Sequence, residues 1–531
     1  MGVEELTNPL LAGFWNETRL RSNLEAVSPA AGQPDPGLSV QWTRIAAALG
    51  LGYGERSGAV ITKGKTLMRA RTTPSAGALY PFEVLVAFQD GHEYALYHYD
   101  AAGCSLRRLA AVGRRDLADL LAGSARPADP LAADPLAGDP ITTGPLATDP
   151  LAADGAHPAE LPAAVVAVVA RPWHAMRKYG RRGYLYTHLD SAHAATNIAL
   201  AAADAGFAPA VRLRFDRRAL SRLFGLENLC REPQALVTLT APTGPATVGP
   251  GRAPRTNPFA VPIWWHDGGR GLEQPDGPER EAWDLVSPVS TYHQPRDLAR
   301  RFGTTPAIRP AAAGTAPLVL TGRDADPLAD FGAVVLDRQS AKGFLAKPLD
   351  ADALGRALAA VRGGIAVDCA DGPLAGLRLL VRNVDGLPAG AYEYDPDGHR
   401  LLPVGGDGGS EEAVVAACMN QGVVAGCAAL VALHAPVRQL LGERGQQGLA
   451  ELHFHAASAA QRLCLGAAAQ HVGITCLGGF DAGRIAELAL LDDQEEVIYV
   501  VAVGVADENA VKWDRAPVAY SHARDPRQQP G

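Results

Sequence analysis

Several stretches of this 531-residue chain carry side chains whose types and spacing could do chemistry. One is Arg71-Thr-Thr-Pro74-Ser75-Ala76-Gly77-Ala-Leu79-Tyr80-Pro81, two prolines, small residues and a glycine placed directly ahead of the apolar run Phe82 to Phe88. It reads as a tight loop feeding a strand, and loops of this kind offer backbone N–H groups to a ligand. Another is Arg338-Gln-Ser340-Ala-Lys342. Alternate positions on an extended strand point the same way, so two cations and a hydroxyl can converge there on a phosphate. The charged run Arg177-Lys178-Tyr179-Gly180-Arg181-Arg182 describes, by itself, a basic helix start. Lys512 and Arg515, past the last strand-like run, are either phosphate ligands or ordinary tail charges.

An arginine followed by Pro74-Ser75-Ala-Gly77-Ala-Leu79-Tyr80-Pro81 resembles the signature of the SagB-type dehydrogenases, a branch of the flavin-dependent nitroreductase superfamily. The resemblance implies FMN as the cofactor. From the loop it assigns Arg71, Pro74, Ser75, Ala76, Gly77 and Leu79 to the cofactor. Arg338, Ser340 and Lys342 match the superfamily's flavin-binding N-terminal motif; Gly478-Gly479-Phe480 sits where such proteins place a backbone-lined contact to flavin, and Lys512 is a further candidate. Arg177 to Tyr186 is similar to the family's Lys-Tyr-Gly-x-Arg stretch, which implies proton transfer by Lys178 and Tyr179, although Leu185 stands where the family has an arginine. His193 fits a family Gly-His position with Ala192 in place of the glycine, and reads as a helix-packing histidine.

The activity so implied is oxidation of thiazoline or oxazoline rings to thiazoles or oxazoles in a ribosomally made precursor peptide. The cyclodehydratase that installs the rings is the implied partner. A nicotinamide-dependent reductase of nitro compounds or quinones would share the fold. A non-catalytic scaffold holding a peptide or a modifying complex is the reading from another class.

Composition narrows the setting. A net charge of −8 and a pI near 6.0 leave no broad basic surface for nucleic acid. The most apolar runs, Leu161 to Ala170 and Cys427 to Val437, are half the length that spans a bilayer, and the acidic start Met-Gly-Val-Glu-Glu lacks a secretory signal's pattern. The seven cysteines are scattered without a Cys-x-x-Cys pair, so neither zinc nor a disulfide framework is indicated. A cytoplasmic protein is expected. No phosphate-binding Gly-x-x-x-x-Gly-Lys-Ser/Thr loop or Gly-x-Gly-x-x-Gly unit after a strand is present. His453 and His455 alternate around Phe454, with no third ligand group converging in the sequence.

The elements that must position these residues recur. Phe82 to Phe88 and Glu93 to Tyr99 read as a hairpin, Arg107 to Leu121 as a helix, Ala163 to Ala170 as a strand, Leu189 to Ala205 as a long helix, and Ala235 to Thr240 as a strand. Asp129-Pro-Leu-Ala, repeated at Asp134 and Asp149, marks a low-complexity insert at about 125–157. In the second half Asp350 to Val361 and Ala456 to His471 read as helices. Tyr97-His-Tyr99-Asp100 matches Tyr392-Glu-Tyr394-Asp395 at a separation of 392 − 97 = 295, whereas Pro233 to Pro242 lies opposite Glu495 to Gly504 at 495 − 233 = 262. The chain is therefore expected to be a tandem duplication with an α+β fold: a half at 1–242 that carries the insert, a Pro/Gly-rich linker at 243–327, and a half at 328–531. Joined in one chain, the halves imply an intramolecular pseudo-dimer, itself a monomer or part of a higher oligomer. One half keeps the signature loop and the other the phosphate motif, since Cys369-Ala-Asp-Gly372 has replaced Pro74 to Gly77 and the first half offers only Arg19-Leu-Arg21-Ser22. One complete FMN site and one degenerate site follow.

Overall fold

The computed structural model describes residues 40–61, 67–90, 93–101, 105–123, 161–227, 229–241, 316–323, 326–369 and 374–510, with 257, 264–266, 272, 280, 281 and 284 between them. The insert, Arg19 to Ser22, Lys512 and Arg515 lie outside the described residues. The first half runs α1 (Val40–Gly52), β1 (Glu55–Ile61), β2 (Leu67–Arg71), β3 (Phe82–Asp90), β4 (Glu93–Asp100), β5 (Ser105–Val112), α2 (Arg114–Gly123), β6 (Ala164–Ala170), α3 (Pro172–Tyr179), α4 (Arg182–Asp204), β7 (Ala208–Arg212), α5 (Arg217–Leu223) and β8 (Glu232–Thr240). Then come β9 (Trp264–His266), β10 (Leu318–Val319), α6 (Phe331–Asp337), β11 (Phe344–Leu345), α7 (Ala351–Arg362), β12 (Ala366–Val367), β13 (Gly376–Val381), β14 (Gly390–Asp395) and β15 (Arg400–Gly405). The chain continues through α8 (Glu411–Ala417), β16 (Ala429–Ala435), α9 (Val437–Ala469), β17 (Gly473–Leu477), α10 (Ala482–Leu488) and β18 (Glu496–Ala506).

Beside the β1-β2 pair two large sheets result, one mixed in the order β12-β7-β8-β6-β3-β4-β5-β9 and one antiparallel in the order β10-β15-β14-β13-β16-β18-β11, with β17 also on β18. Their centres are β6 and β16, Val/Ala/Leu runs buried at every position, as strands covered on both faces must be. The duplication is visible in a shared defect. The β6–β8 register slips between Val168 and Val169, and the β16–β18 register slips between Leu433 and His434, a separation of 433 − 168 = 265. Thr238 and Ala502 hold matching places at 502 − 238 = 264, so the expected late offset of 262 is corrected by two residues.

The halves share one core. α4 and α9, rich in alanine and buried nearly all round, pack directly on each other, since small side chains let helix axes approach closely. Residues of both halves, including Ile198, Ala199, Phe454 and Leu463, belong to one apolar cluster. β12 of the second half extends the first half's sheet, pairing in parallel with β7 at Ala366–Ala210 and Val367–Val211.

Three element boundaries differ from expectation. Arg107 to Val112 is strand, not helix, because it pairs with β4 and buries Leu106 and Val112; the helix begins only at Arg114. α4 starts at Arg182 rather than Leu189, and α9 at Val437 rather than Ala456, with a break at Gly445. Within the stretch read as linker, Trp264–His266 pairs with β5 and Leu318–Val319 with β15. Among the described residues no helix is long and apolar enough to cross a membrane.

Candidate active site between the two halves

The signature loop is pinned by a residue that sequence reasoning missed. Ser75 Oγ donates to Asp190 Oδ2 at 2.6 Å, the Ala76 N–H donates to the same carboxyl at 3.2 Å, and the Tyr80 N–H donates to Ser75 Oγ at 2.8 Å. These contacts hold a turn in which Gly77, Ala78 and Tyr80 have φ of +62°, +56° and +47°. The non-glycine pair is costly, roughly 1–2 kcal/mol per residue, and persists only where its surroundings over-determine it. Asp190 lies inside α4, and burial lifts its pKa from the ordinary carboxyl value to about 7 against the Ser75 and Ala76 hydrogen bonds. An acid in the middle of an alanine-rich helix was the one available signal.

Gly77 faces the Lys-Tyr segment. A Cβ there would collide with the Tyr179 hydroxyl and come within 2.9 Å of Lys178 Nζ. α3 ends at Tyr179, and Gly180, at φ +59° and ψ −148°, breaks the chain before α4. Tyr179 packs edge-on against Tyr186 at 4.9 Å. Arg182 Nε donates to the Gly478 carbonyl at 3.1 Å and lies 3.2 Å from the Tyr186 hydroxyl, while its guanidinium covers the Phe480 ring at 4.8 Å. A side chain at Gly478 would meet the Tyr186 ring at 2.6 Å, and the Gly479 carbonyl accepts from Gln421 Nε2. Loop, Lys-Tyr pair and glycine pair, from both halves, thus meet in one place.

Arg338 closes the other side. It is 4% exposed, and its Nε and Nη2 donate to the Thr72 and Arg71 carbonyls, each at 3.1 Å. The second half's motif therefore straps the first half's loop, a role the sequence did not suggest. Arg338 Nη1, Arg71 Nη1 and Thr73 Oγ1 are buried without a hydrogen-bond partner. The Arg71 guanidinium lies over Tyr53 and Tyr80 at 5.0 and 5.1 Å. Burial, and after it the Arg338 charge, pull Arg56 down to about 10, so Arg56 and Arg338 stand close enough to repel. Lys342 Nζ donates to the Ser340 carbonyl at 3.0 Å, and 338–343 is irregular rather than an extended strand. Unsatisfied buried guanidinium donors, beside glycines that leave backbone bare, fit an anionic, flat cofactor such as FMN. A cavity of about 460 Å³ adjoins the loop, lined by Tyr53, Arg71, Leu79, Tyr80, His98 and Arg171 among others.

The related place in the other register is filled. Cys369 Sγ and His455 Nε2 lie 3.0 Å apart, and His455 holds the place of Asp190 at 455 − 190 = 265, so this contact is the counterpart of Ser75–Asp190. The adjacent ladders set Glu83 opposite Gly376, at 376 − 83 = 293, so the expected offset of 295 is corrected there by two residues. Gln447 Nε2 donates to the Leu213 carbonyl and to Glu451 Oε1, as Arg182 does to Gly478 and Tyr186. In this register Arg444 replaces Tyr179, and Arg214 replaces Gly479. Arg214 Nε and Arg444 Nη1 each lie 2.7 Å from the Glu451 carboxylate, which is wholly buried, and both guanidiniums also donate to the Cys369 carbonyl. Where one site has bare glycines and a tyrosine, the other has a packed ion triad. His453, the metal candidate, hydrogen-bonds the Leu449 carbonyl, and among the described residues no three metal-binding side chains group together.

The nitroreductase-family sequence profile matches residues 62–241 and again 335–505. The chain belongs to the nitroreductase family. Its two-half architecture is similar to that of a protein from Anabaena variabilis ATCC 29413 assigned as a nitroreductase, with a TM-score of 0.65 and 20% identity over 90% of each chain. A Ralstonia eutropha JMP134 protein of the same assignment covers 39% of this chain and 98% of its own, at TM-score 0.29 and 20% identity. The E. coli microcin synthetase McbBCD complex with truncated pro-MccB17 bound matches 32% of this chain and 70% of its own, at TM-score 0.27 and 15% identity. No curated protein matches the chain.

Proposed function

We propose that this nitroreductase-family chain is an FMN-dependent dehydrogenase that oxidises thiazoline or oxazoline rings to thiazoles or oxazoles in a ribosomally made peptide. The observation that carries the reading is the convergence at Gly77, where the signature loop of one sequence region meets Lys178 and Tyr179 of another beside Gly478 and Gly479. Arg338, Ser340, Lys342 and Lys512 would hold the phosphate end of one FMN per chain, and the backbone of Pro74 to Gly77, with Arg71 and Leu79, its ring end. When bound, FMN supplies the two-electron acceptor of the dehydrogenation. The chain's own part is to take the proton lost from the ring carbon. Tyr179 as its phenolate, or Lys178 as its free amine, would accept it; Tyr179 packs on Tyr186, and Lys178 Nζ lies 5.5 Å from the Tyr179 ring centre. Aromatisation makes the overall loss of two hydrogens favourable. The reaction belongs in the cytoplasm, with the ring-forming cyclodehydratase as partner.

The test is anaerobic mixing of purified yellow protein with an azoline-bearing peptide. Bleaching of the flavin together with loss of two hydrogens per ring from the peptide is expected. Rapid bleaching by NAD(P)H with no change in peptide mass would instead identify a nitro or quinone reductase.

A further inference from the structure

We infer that Cys464 and Cys476 form a peroxide-reactive dithiol under the site, which closes to a disulfide as a hydroperoxide is reduced. Cys464, on α9, is almost wholly buried, whereas Cys476, on β17 two residues before Gly478, is partly accessible; their sulfurs are 3.5 Å apart. Disulfide formation needs the sulfurs to approach to about 2.05 Å.

The surroundings distinguish this pair from the other described cysteines. His193 of α4 and Tyr499 of β18 neighbour Cys476. His193 is oriented by a relay: Gln461 Nε2 donates to Asn197 Oδ1 at 3.0 Å, which turns Gln461 Oε1 toward His193 Nδ1 at 2.9 Å. Nδ1 therefore carries the proton, and Nε2 accepts from the Tyr499 hydroxyl at 3.2 Å. The hydrogen bond from Cys464 holds the Cys476 sulfur well below the ordinary thiol range and pushes Cys464 above it. Cys476, the partly accessible member, is assigned as the attacking thiolate and the buried Cys464 as the resolving thiol. Burial instead raises Cys369 and Cys427.

The electron count closes within the named reactants. Cys476 thiolate attacks the terminal peroxide oxygen; the S–O bond forms, the O–O bond breaks, and the leaving oxygen takes a proton. Cys464 then attacks the sulfenic sulfur, the S–S bond forms, and the S–O oxygen departs as water. The dithiol is oxidised by two electrons and the hydroperoxide is reduced to an alcohol, or to water when it is hydrogen peroxide. The choice of a peroxide rests on the proposed function, since a flavin dehydrogenase that returns its electrons to oxygen would release hydrogen peroxide beside this pair, but the thiol chemistry needs only the chain.

It is therefore tested on full-length FMN-free protein, apart from any flavin activity. Native protein is treated with hydrogen peroxide, then denatured, alkylated and peptide-mapped. A cross-linked peptide joining Cys464 and Cys476 is expected, and without peroxide native Cys476 should alkylate about tenfold or more faster than Cys418 and Cys427, the factor one unit of thiol pKa sets. In Cys464→Ala, dimedone should trap Cys476 as its sulfenic acid. Recovery of Cys476 as a free thiol after a treatment that oxidises free cysteine, or alkylation no faster than at Cys418, overturns the inference whether or not the variant folds.

Discussion

Ser75 and Asp190, 115 residues apart in sequence, are joined by a 2.6 Å hydrogen bond that fixes the signature loop to the helix at the centre of the molecule. The bond couples the loop's left-handed turn to α4, and α4 in turn packs on the second half's α9. Loop geometry is thereby set by the contact between halves rather than by local sequence.

Asp190→Ala removes the acceptor of both Ser75 Oγ and the Ala76 N–H, so it should destabilise the chain by about 1–3 kcal/mol and lower flavin retention. A pH signature separates Asp190 from a merely structural residue. Its pKa is raised to about 7 in the fold, so between about 4 and 7 the folded chain holds a proton that the unfolded chain has released, and this group's contribution to stability falls as pH rises through that window. Buried His188 and His455, lowered to about 3 and about 4, act in the opposite direction. The measurement is therefore the difference between parent and Asp190→Asn in urea unfolding, which should shrink the stability gap between pH 5 and pH 7.5 in the parent's disfavour at the higher pH. A pH-independent difference would deny Asp190 this role.

One FMN per chain is expected on release by denaturation, because Arg214, Glu451 and Arg444 fill the second place. Removing one member of a buried ion network leaves an uncompensated charge, so Glu451→Ala should cost about 3–5 kcal/mol without changing the amount of flavin bound by the protein that remains folded. Two FMN per chain would mean the triad opens.

The duplication was legible because aromatic and apolar spacing in β4 and β14 is repeated in Tyr97, Tyr99, Tyr392 and Tyr394, and side chains that face a core keep such a pattern. Arg107 to Val112 was misread because two arginines followed by four apolar residues carry no period that separates strand from helix, and only pairing with β4 decides. The loop, the Lys-Tyr pair and the glycine pair were legible as motifs. Asp190 and Arg182 were not, since their partners, Ser75 and the Gly478 carbonyl, are reached only through the packing of α4. The plug in the second site was invisible for the same reason: Arg214 and Arg444 look like surface charges until Glu451 is placed between them.

Gly77 and Tyr179 supply a test by coupling. Gly77→Ala forces a side chain onto a φ of +62° and into the Tyr179 hydroxyl, two costs of which only the second is relieved by Tyr179→Phe. The double variant should therefore be more stable than the sum of the single changes predicts, with a coupling of about 0.5–3 kcal/mol in thermal or urea unfolding, while azoline oxidation stays low. Strict additivity would place the hydroxyl away from Gly77.

Arg338 and the Lys178–Tyr179 pair should separate cofactor retention from chemistry. Arg338→Ala deletes two hydrogen bonds to the loop carbonyls and the cation beside Arg56, so flavin occupancy should drop; a charge-assisted contact contributes roughly 1.5–3 kcal/mol, tenfold or more in affinity. Its thermal midpoint should fall as well, because Arg338 straps the two halves. Lys178→Ala and Tyr179→Phe leave those bonds intact, so both should stay yellow while azoline oxidation slows by about 10²–10⁴-fold, the range for loss of a positioned proton-transfer group. The comparison belongs at saturating FMN, in a single turnover of flavin reduction by an azoline peptide, so that weakened binding cannot pass for slowed chemistry. If both variants reduce flavin at the parent rate, Lys178 and Tyr179 serve only to seat the loop, and the proton acceptor must be sought elsewhere.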